Sequence, residues 1–217
     1  MKTANVLTGL ALSLIASLSL AAAPGLDEEL LAIQQDWARA NYETPSGQAR
    51  EAAFDTLSKR AAAFTRNHPG RAEPLIWEGI VLSTYAGAKG GLGALSLAKQ
   101  ARERLEAALQ IAPDALDGSV YTSLGSLYSK VPGFPVGFGN DKKAREYLEK
   151  ALALNPDGID PNYFYGEFLA DNGDYPAAAR YLEKALQAPP RANRELADAG
   201  RKGEINALLA KVKSKGG

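Results

Sequence analysis

The residue types that carry enzyme chemistry are scarce in this sequence. Cysteine is absent, which excludes thiol catalysis, cysteine-ligated zinc and disulfide bonds. The single histidine, His68, immediately precedes Pro69, and this position is typical of a helix end rather than of a ligand or base. The glycine-rich run at 86–95 has neither the Gly-Lys-Ser/Thr of a phosphate-binding loop nor the third glycine of a dinucleotide site. It is interpreted as a long loop between two helices.

Acidic residues do not form a recognisable metal site. Four aspartates flank the turn glycines Gly158 and Gly173, but their spacing lacks the alternation that a calcium-binding loop requires. They are interpreted as helix caps, namely Asp157, Asp160, Asp171 and Asp174. Basic and acidic residues each number 25, so the formal net charge is zero and indicates no surface for nucleic acid. The sequence therefore predicts no enzyme, no catalytic residue, no metal, no cofactor and no nucleic-acid partner.

Aromatic side chains are the remaining candidates for a binding site. Those between residues 121 and 168 are Tyr121, Tyr128, Phe134, Phe138, Tyr147, Tyr163, Phe164, Tyr165 and Phe168. Aromatic residues spaced along a helical stripe are expected in the core. Phe134 and Phe138 instead lie in VPGFPVGFGN (131–140), called the insertion loop below, which carries no charge. Because exposed apolar surface is costly, this loop is expected either to pack on the protein itself or to cover a ligand.

The elements that position these residues are predicted to be helices throughout. From Asp27 onward apolar residues recur every three or four positions, as Leu30, Ile33 and Trp37 do. No segment alternates with period two for long enough to form a strand. The fold class is therefore predicted to be all-α.

An internal repeat organises the helices. Three segments align without a gap: LEAALQIAP (105–113), LEKALALNP (148–156) and LEKALQAPP (182–190). The helix before each segment carries a glycine, and these are Gly79, Gly125 and Gly166. The pattern resembles the tetratricopeptide repeat, a helix-turn-helix unit whose small residues allow two helices to cross closely. Such hairpins must stack to bury their apolar faces, so we expect a short α-solenoid with a C-terminal capping helix. Its clearest repeats are predicted at 72–113, 118–156 and 159–192.

The first residues have the layout of a secretory signal peptide. The basic start at Lys2 is followed by an apolar run from Val6 to Leu20 and by the small residues at 21–23. We expect a signal peptide over 1–22, cleaved near Ala21–Ala23, and a single α-solenoid domain over 23–217 in the periplasm. An uncleaved N-terminal anchor is the alternative. No later segment is apolar enough to predict a transmembrane segment in the mature chain.

Three longer segments resemble the T-component family of tripartite ATP-independent periplasmic (TRAP) transporters. They are AKGGLGALSLAKQARERLEAAL (88–109), SLGSLYSKVPGFPVGFGNDKKAREYLEKAL (123–152) and NPDGIDPNYFYGEFLADNGDY (155–175). The resemblance implies a periplasmic tetratricopeptide protein that engages the solute-binding protein of a TRAP transporter and can hold a small amphipathic ligand. Family members are often lipoproteins, whereas this chain has Ala21–Ala23 where the lipidated cysteine would be.

The tetratricopeptide resemblance also indicates which side chains would bind. In such proteins the concave groove is lined mainly by the first helix of each pair, which here implies Ile76, Ile80, Thr84, Thr122, Ser126, Tyr163 and Glu167. Phe134 and Phe138 would form a lip over this groove. Two functions stay open: an accessory subunit for solute uptake, or a general cell-envelope scaffold or chaperone-like adaptor with no small-molecule ligand. Either is compatible with a homo-oligomer.

Overall fold

Helices make up nearly all of the protein between residues 25 and 216, the range that the computed structural model describes. In chain order they are α1 (Leu26–Ala38), a π-helical turn (Arg39–Glu43), α2 (Gln48–Asn67), α3 (Ala72–Lys89), α4 (Gly91–Ile111), α5 (Ala115–Lys130), α6 (Asp141–Leu154), α7 (Ile159–Asp171), α8 (Tyr175–Leu186) and α9 (Glu195–Gly216). No strand forms within this range, so the all-α prediction is confirmed. The predicted signal peptide over 1–22 lies outside the described residues. Between residues 25 and 216, no helix combines the length and apolar character needed to span a membrane.

The helices pack as consecutive pairs, α3 with α4, α5 with α6 and α7 with α8. In the first pair, a Cβ placed on Gly79 would lie 2.6 Å from Cγ of Leu105, closer than two carbon atoms can approach without strain. The same crossing recurs in the next two pairs, between Gly125 and Leu148 and between Gly166 and Leu182. The repeated glycines therefore mark the points at which the two helices of each pair come closest.

The prediction of a long loop at 86–95 is wrong. Helix α3 continues to Lys89 and α4 begins at Gly91, so the chain reverses at Gly90. Gly90 and Gly91 have φ of 64° and 58°, values that glycine adopts without steric cost. Most other residues of the run are alanine and leucine, which favour helix. The additional residues of this repeat therefore lengthen its two helices instead of forming a loop.

The insertion loop separates α5 from α6, as the sequence predicts. Its ends are joined by backbone hydrogen bonds, in which Asn140 N donates to the Tyr128 carbonyl at 2.8 Å and Gly139 N donates to the Pro132 carbonyl at 3.0 Å. The Asn140 side chain then caps α6 by accepting a hydrogen bond from Lys143 N at 2.9 Å. The loop is thus anchored at both ends.

Helix α9 joins the two ends of the solenoid. It packs on α7 and α8, as expected of a capping helix, and it also contacts α1 and the π-helical turn. The Tyr42 hydroxyl, in that turn, donates a hydrogen bond to the Glu204 carboxylate at 3.3 Å. Gly200 lies against the Tyr42 ring so closely that a Cβ could not fit. The concave face is consequently bounded by the first helices of the repeats and by α9.

Candidate functional site

A cavity of about 590 Å³ lies between the first helices of the repeats and α9. We call it the central cavity. The N-terminal part of its wall consists of Gln34, Trp37, Asn41, Tyr42, Trp77, Ile80, Ser83 and Thr84. The middle of the wall comes from α5 and from the start of α7, and it includes Leu116, Ser119, Thr122, Ser123, Ser126, Asp160 and Phe164. The C-terminal part consists of Pro189, Pro190, Arg191, Arg194, Ala197, Arg201 and Glu204.

Two tryptophans form the apolar side of the central cavity. The rings of Trp37 and Trp77 meet edge to face with their centroids 6.1 Å apart, and Tyr42 meets Trp37 in the same way at 5.7 Å. The indole Nε1 of Trp37 donates to Thr84 Oγ1 at 3.0 Å, which fixes the ring and satisfies its N–H. Thr84 in turn donates to the Ile80 carbonyl at 3.0 Å. The aromatic surface is therefore held in one orientation by its own hydrogen bonds.

Hydroxyl groups form another part of the cavity wall. Ser119, Thr122, Ser123 and Ser126 fall near one face of α5, and that face is turned toward the cavity. Ser83 and Thr84 add two more hydroxyls from α3. The central cavity therefore combines an aromatic wall with a row of hydrogen-bonding groups.

An ionic cluster connects α7 with the segment that leads into α9. Asp160 accepts hydrogen bonds from Arg191 Nη1 at 2.6 Å and from Arg201 Nε at 2.9 Å. Arg191 also donates to Asp198 at 2.7 Å, and Arg201 donates to Glu204 at 2.6 Å. Burial alone would raise the pKa of Asp160, but the positive charges of Arg201 and Arg191 outweigh it and lower that pKa to about 2. The interpretation of Asp160 as a helix cap is therefore wrong, because its carboxylate is an ion-pair partner.

Arg194 lies in the same wall but outside these pairs. Its guanidinium carbon is 5.1 Å from the centre of the Trp77 ring, and its Nε is buried without a hydrogen-bond partner. Among the described residues, the carboxylates nearby are engaged by Arg191 and Arg201 instead. Burial, followed by repulsion from Arg191, lowers the pKa of Arg194 to about 10. Arg194 is thus a charged group of the cavity wall whose buried Nε has no hydrogen-bond partner among the described residues.

The start of α5 has an unusual backbone where it borders the cavity. Leu116, Asp117 and Gly118 have φ values of 52°, 54° and 72°, in the left-handed region. This conformation costs about 1–2 kcal/mol for each residue other than glycine. A Cβ on Gly118 would lie 2.6 Å from Cδ1 of Leu154, so glycine is also required for space. The right-handed part of α5, which carries the hydroxyl row, begins only after this turn.

The structure brings some of the predicted groove residues together and separates others. Ile80, Thr84, Thr122 and Ser126 all lie in the wall of the central cavity. Ile76 does not line it, because its side chain is fully buried in the core.

Two further predicted residues lie next to the cavity rather than in its wall. Tyr163 is buried, with its ring centre 4.4 Å from the Arg201 guanidinium, and its hydroxyl donates to Glu167 at 3.4 Å. Glu167 also forms an ion pair with Lys130 at 3.2 Å. Their neighbour Phe164 reaches the cavity wall instead.

The insertion loop supplies no residue to the cavity wall, so the predicted lip is not formed. Phe138 packs on the protein itself, edge to face with Tyr128 at 5.5 Å and beneath the Arg102 guanidinium at 4.4 Å. Phe134 points away from the protein and is 94% exposed, and Val136 beside it is 65% exposed. Phe138 therefore packs on the protein itself, whereas Phe134 neither packs on the protein nor covers the central cavity.

Sequence reasoning missed the groups that give the cavity its character, and they are Trp37, Trp77, Phe164, Arg191, Arg194 and Arg201. The sequence carried no signal for the arginines, because Arg191 and Arg194 lie in the segment between α8 and α9 and only Arg201 lies on α9. No metal site emerges, because within residues 25–216 no three histidine, cysteine, aspartate or glutamate side chains are grouped to hold an ion. The groups that converge here are suited to binding a ligand through stacking, hydrogen bonds and one cation.

Comparison with known proteins supports the repeat architecture. Residues 139–202 match the family described as tetratricopeptide repeat. TTC0263, a thermophilic tetratricopeptide protein of Thermus thermophilus, has a crystal structure that superposes with a TM-score of 0.56 over 87% of this chain and 98% of that one. Its sequence identity is 15%, so the likeness concerns the fold alone. No curated protein matches the sequence. The α-solenoid prediction is confirmed.

Proposed function

We propose that this protein is a non-catalytic periplasmic binding protein whose central cavity holds a small amphipathic ligand, and that it is an accessory of a TRAP-type solute transporter. The observation that carries the ligand-binding part is the cavity that α9 bounds on the concave face. The resulting volume of about 590 Å³ lies within the range of about 300–1,000 Å³ that is typical of small-molecule sites.

The position of α9 favours a small molecule over a peptide in the cavity. An open solenoid presents an extended concave surface on which a partner segment can lie. Here α9 occupies that side, and the hydrogen bond between Tyr42 and Glu204 joins it to the N-terminal turn. A ligand within the cavity would meet both the tryptophans and the hydroxyls of α3 and α5, a combination that suits an amphipathic molecule.

The transporter part of the proposal is supported by sequence resemblance. The segment Tyr163–Gly166 belongs to the motif shared with TRAP T-components, and within it Phe164 lines the cavity while Gly166 allows α7 to cross α8. The insertion loop belongs to the same resemblance, and it presents Phe134 and Val136 to solvent. We propose this loop tip as the contact for a periplasmic solute-binding protein, because it is apolar, exposed and anchored at both ends.

A general envelope scaffold or chaperone-like adaptor without a small-molecule ligand is the second candidate. The tetratricopeptide match over 139–202 favours it, since solenoids of this kind commonly provide binding surfaces for other proteins. On this alternative the insertion loop would be the contact for its partners and the central cavity would stay unused.

The deciding experiment is a pull-down from a periplasmic extract with the mature chain, residues 23–217, as bait. The transporter proposal predicts recovery of a TRAP solute-binding protein, and weaker recovery when Phe134→Ala removes the exposed ring. Ile111→Ala is the matched control, because Ile111 is another partly exposed apolar residue, at the end of α4. Recovery of assembly factors alone would favour the scaffold instead.

A thermal-shift screen tests the cavity separately. A ligand present at about 100 times its dissociation constant stabilises the folded state by about 2.7 kcal/mol. Substituting Thr122 by Val removes one cavity hydroxyl without changing the size of the side chain much, and it should reduce the shift for a ligand that uses the hydroxyl row. A shift unaffected by every cavity substitution would place the ligand elsewhere.

A further inference from the structure

Arg194 differs from the other arginines of the central cavity in the contacts it makes. Arg191 contacts Asp160 and Asp198, and Arg201 contacts Asp160 and Glu204. Arg194 instead lies over the Trp77 ring, and its buried Nε has no hydrogen-bond partner among the described residues. A buried N–H that loses water without gaining an acceptor costs free energy, so this position is stabilised when an acceptor from outside the chain binds.

The neighbouring carboxylates do not supply the hydrogen-bond acceptor that Arg194 lacks. Asp160 and Asp198 attract Arg194, but their hydrogen bonds in this cluster come from Arg191 and Arg201. Burial and the repulsion from Arg191 still lower the pKa of Arg194. Long-range attraction therefore compensates only part of the cost, and the hydrogen bonds themselves are missing.

The chemistry of the missing acceptor follows from the surroundings. A guanidinium fork matches a planar carboxylate, to which it can donate two parallel hydrogen bonds. A second negative charge on the ligand would be repelled by the carboxylates of the cavity wall, which are Asp117, Asp157, Asp160 and Glu204, so one charge fits better than two. An apolar body attached to the carboxylate would extend from Arg194 over Trp77 and onto Trp37, whose rings are contiguous.

We propose that the central cavity recognises amphipathic monocarboxylates, with the carboxylate paired to Arg194 and the apolar body against Trp77 and Trp37. This inference rests on the proposed ligand-binding function of the cavity, and it adds the chemical class of the ligand. It does not depend on the transporter partner.

Intrinsic tryptophan fluorescence gives a direct test, because the chain has two tryptophans and both line the cavity. The probes are octanoate and 3-phenylpropionate, each compared with its neutral amide, octanamide and 3-phenylpropanamide. We expect both carboxylates to bind at least about tenfold more tightly than their amides, as hydrogen bonds to a charged group provide. Arg194→Gln should weaken carboxylate binding about tenfold to hundredfold and leave amide binding within about twofold.

Two further variants complete the design. Arg180→Gln, on the exposed surface of α8, is the matched control and should change nothing. Arg194→Lys keeps the charge but loses the planar fork, so its carboxylate affinity should lie between those of the wild type and Arg194→Gln. Far-ultraviolet circular dichroism confirms that each variant is folded before titration.

The failures of the two proposals are distinguishable. If carboxylates and amides bind equally and Arg194→Gln has no effect, the cavity binds ligands but carboxylate recognition is overturned. If none of the four probes changes the fluorescence up to its solubility limit, both carboxylate recognition and ligand binding in the cavity are overturned.

Discussion

Replacing a buried arginine by methionine should have opposite effects at two positions of the same cavity wall. Within the part of the chain that the structure describes, the buried Nε of Arg194 has no hydrogen-bond partner, whereas Arg201 donates to both Asp160 and Glu204. Methionine retains much of the apolar stem of arginine and removes the charge, so each substitution isolates the contribution of the guanidinium. We predict that Arg194→Met stabilises the unliganded protein and that Arg201→Met destabilises it.

The expected stability change for Arg194→Met follows from the pKa of Arg194. A decrease from 12.5 to about 10 corresponds to about 3 kcal/mol of penalty on the charged form in the folded state, at about 1.4 kcal/mol per pKa unit. The substitution also removes the stacking of the cation on Trp77, worth about 1 kcal/mol. The net expectation is a gain of about 1–2 kcal/mol in the free energy of unfolding. For a protein of this size, that gain raises Tm by about 2–8 °C.

Arg201→Met is expected to lower the free energy of unfolding. Its loss leaves Glu204 without an ion pair and Asp160 with Arg191 alone. Removing one partner of a buried pair typically costs about 3–5 kcal/mol, because the remaining charge is left uncompensated.

Urea denaturation followed by circular dichroism at 222 nm measures the free energy of unfolding of both variants under identical conditions. The pH dependence provides a second check. The pKa of Arg194 is lower in the folded state, so its penalty is fully present below about pH 10 and is relieved as the pH rises further. The stability difference between Arg194→Met and the wild type should therefore narrow above about pH 10. If Arg194→Met is destabilised as strongly as Arg201→Met, then Arg194 has an internal partner and the reasoning is refuted.

Three further predictions concern the fold. Gly125→Ala should lower the free energy of unfolding by about 2 kcal/mol, because the new Cβ would lie 2.6 Å from Cγ of Leu148. Gly203→Ala is the control, because nothing lies within 4 Å of its Cβ position. It should stabilise α9 by up to about 1 kcal/mol in the same urea assay. Because the pKa of Asp160 is lowered to about 2, the stability that its carboxylate contributes is present above about pH 4 and is lost as the pH falls toward 2. The stability advantage of the wild type over Asp160→Asn should therefore shrink by about 2 kcal/mol across that interval. A constant difference would contradict the ion-pair assignment. Phe138→Ala should lower Tm and increase proteolysis within the insertion loop, while alanine at the exposed Phe134 should leave both unchanged.

The helices and their pairing could be predicted from the sequence because both depend on local patterns. Apolar residues at three- and four-residue intervals predict each helix, and the three aligned segments ending at Pro113, Pro156 and Pro190 predict the repeat. The repeated glycines are part of the same pattern, since each one faces the leucine of the helix that follows. The hydroxyl face of α5 was partly predicted for the same reason, through Thr122 and Ser126.

A turn of one or two residues is predicted less well than the helices beside it. The glycine-rich run at 86–95 indicates a break, but its alanines and leucines also favour helix. The positive φ of Gly90 and Gly91 reverses the chain with almost no loop, and only the packing of α3 on α4 requires that reversal to be so tight.

The sequence by itself determined that this protein is an all-α solenoid with an apolar insertion loop, since these features follow from the order of residues within each hairpin. The tertiary structure alone decided that α9 bounds the concave face. It also decided that the cavity contains two tryptophans and an arginine whose buried Nε has no hydrogen-bond partner between residues 25 and 216. Trp37 and Trp77 are 40 positions apart, and Asp160 meets Arg201 across 41. Such contacts depend on the accumulated rotation from one helix pair to the next, which no local pattern specifies.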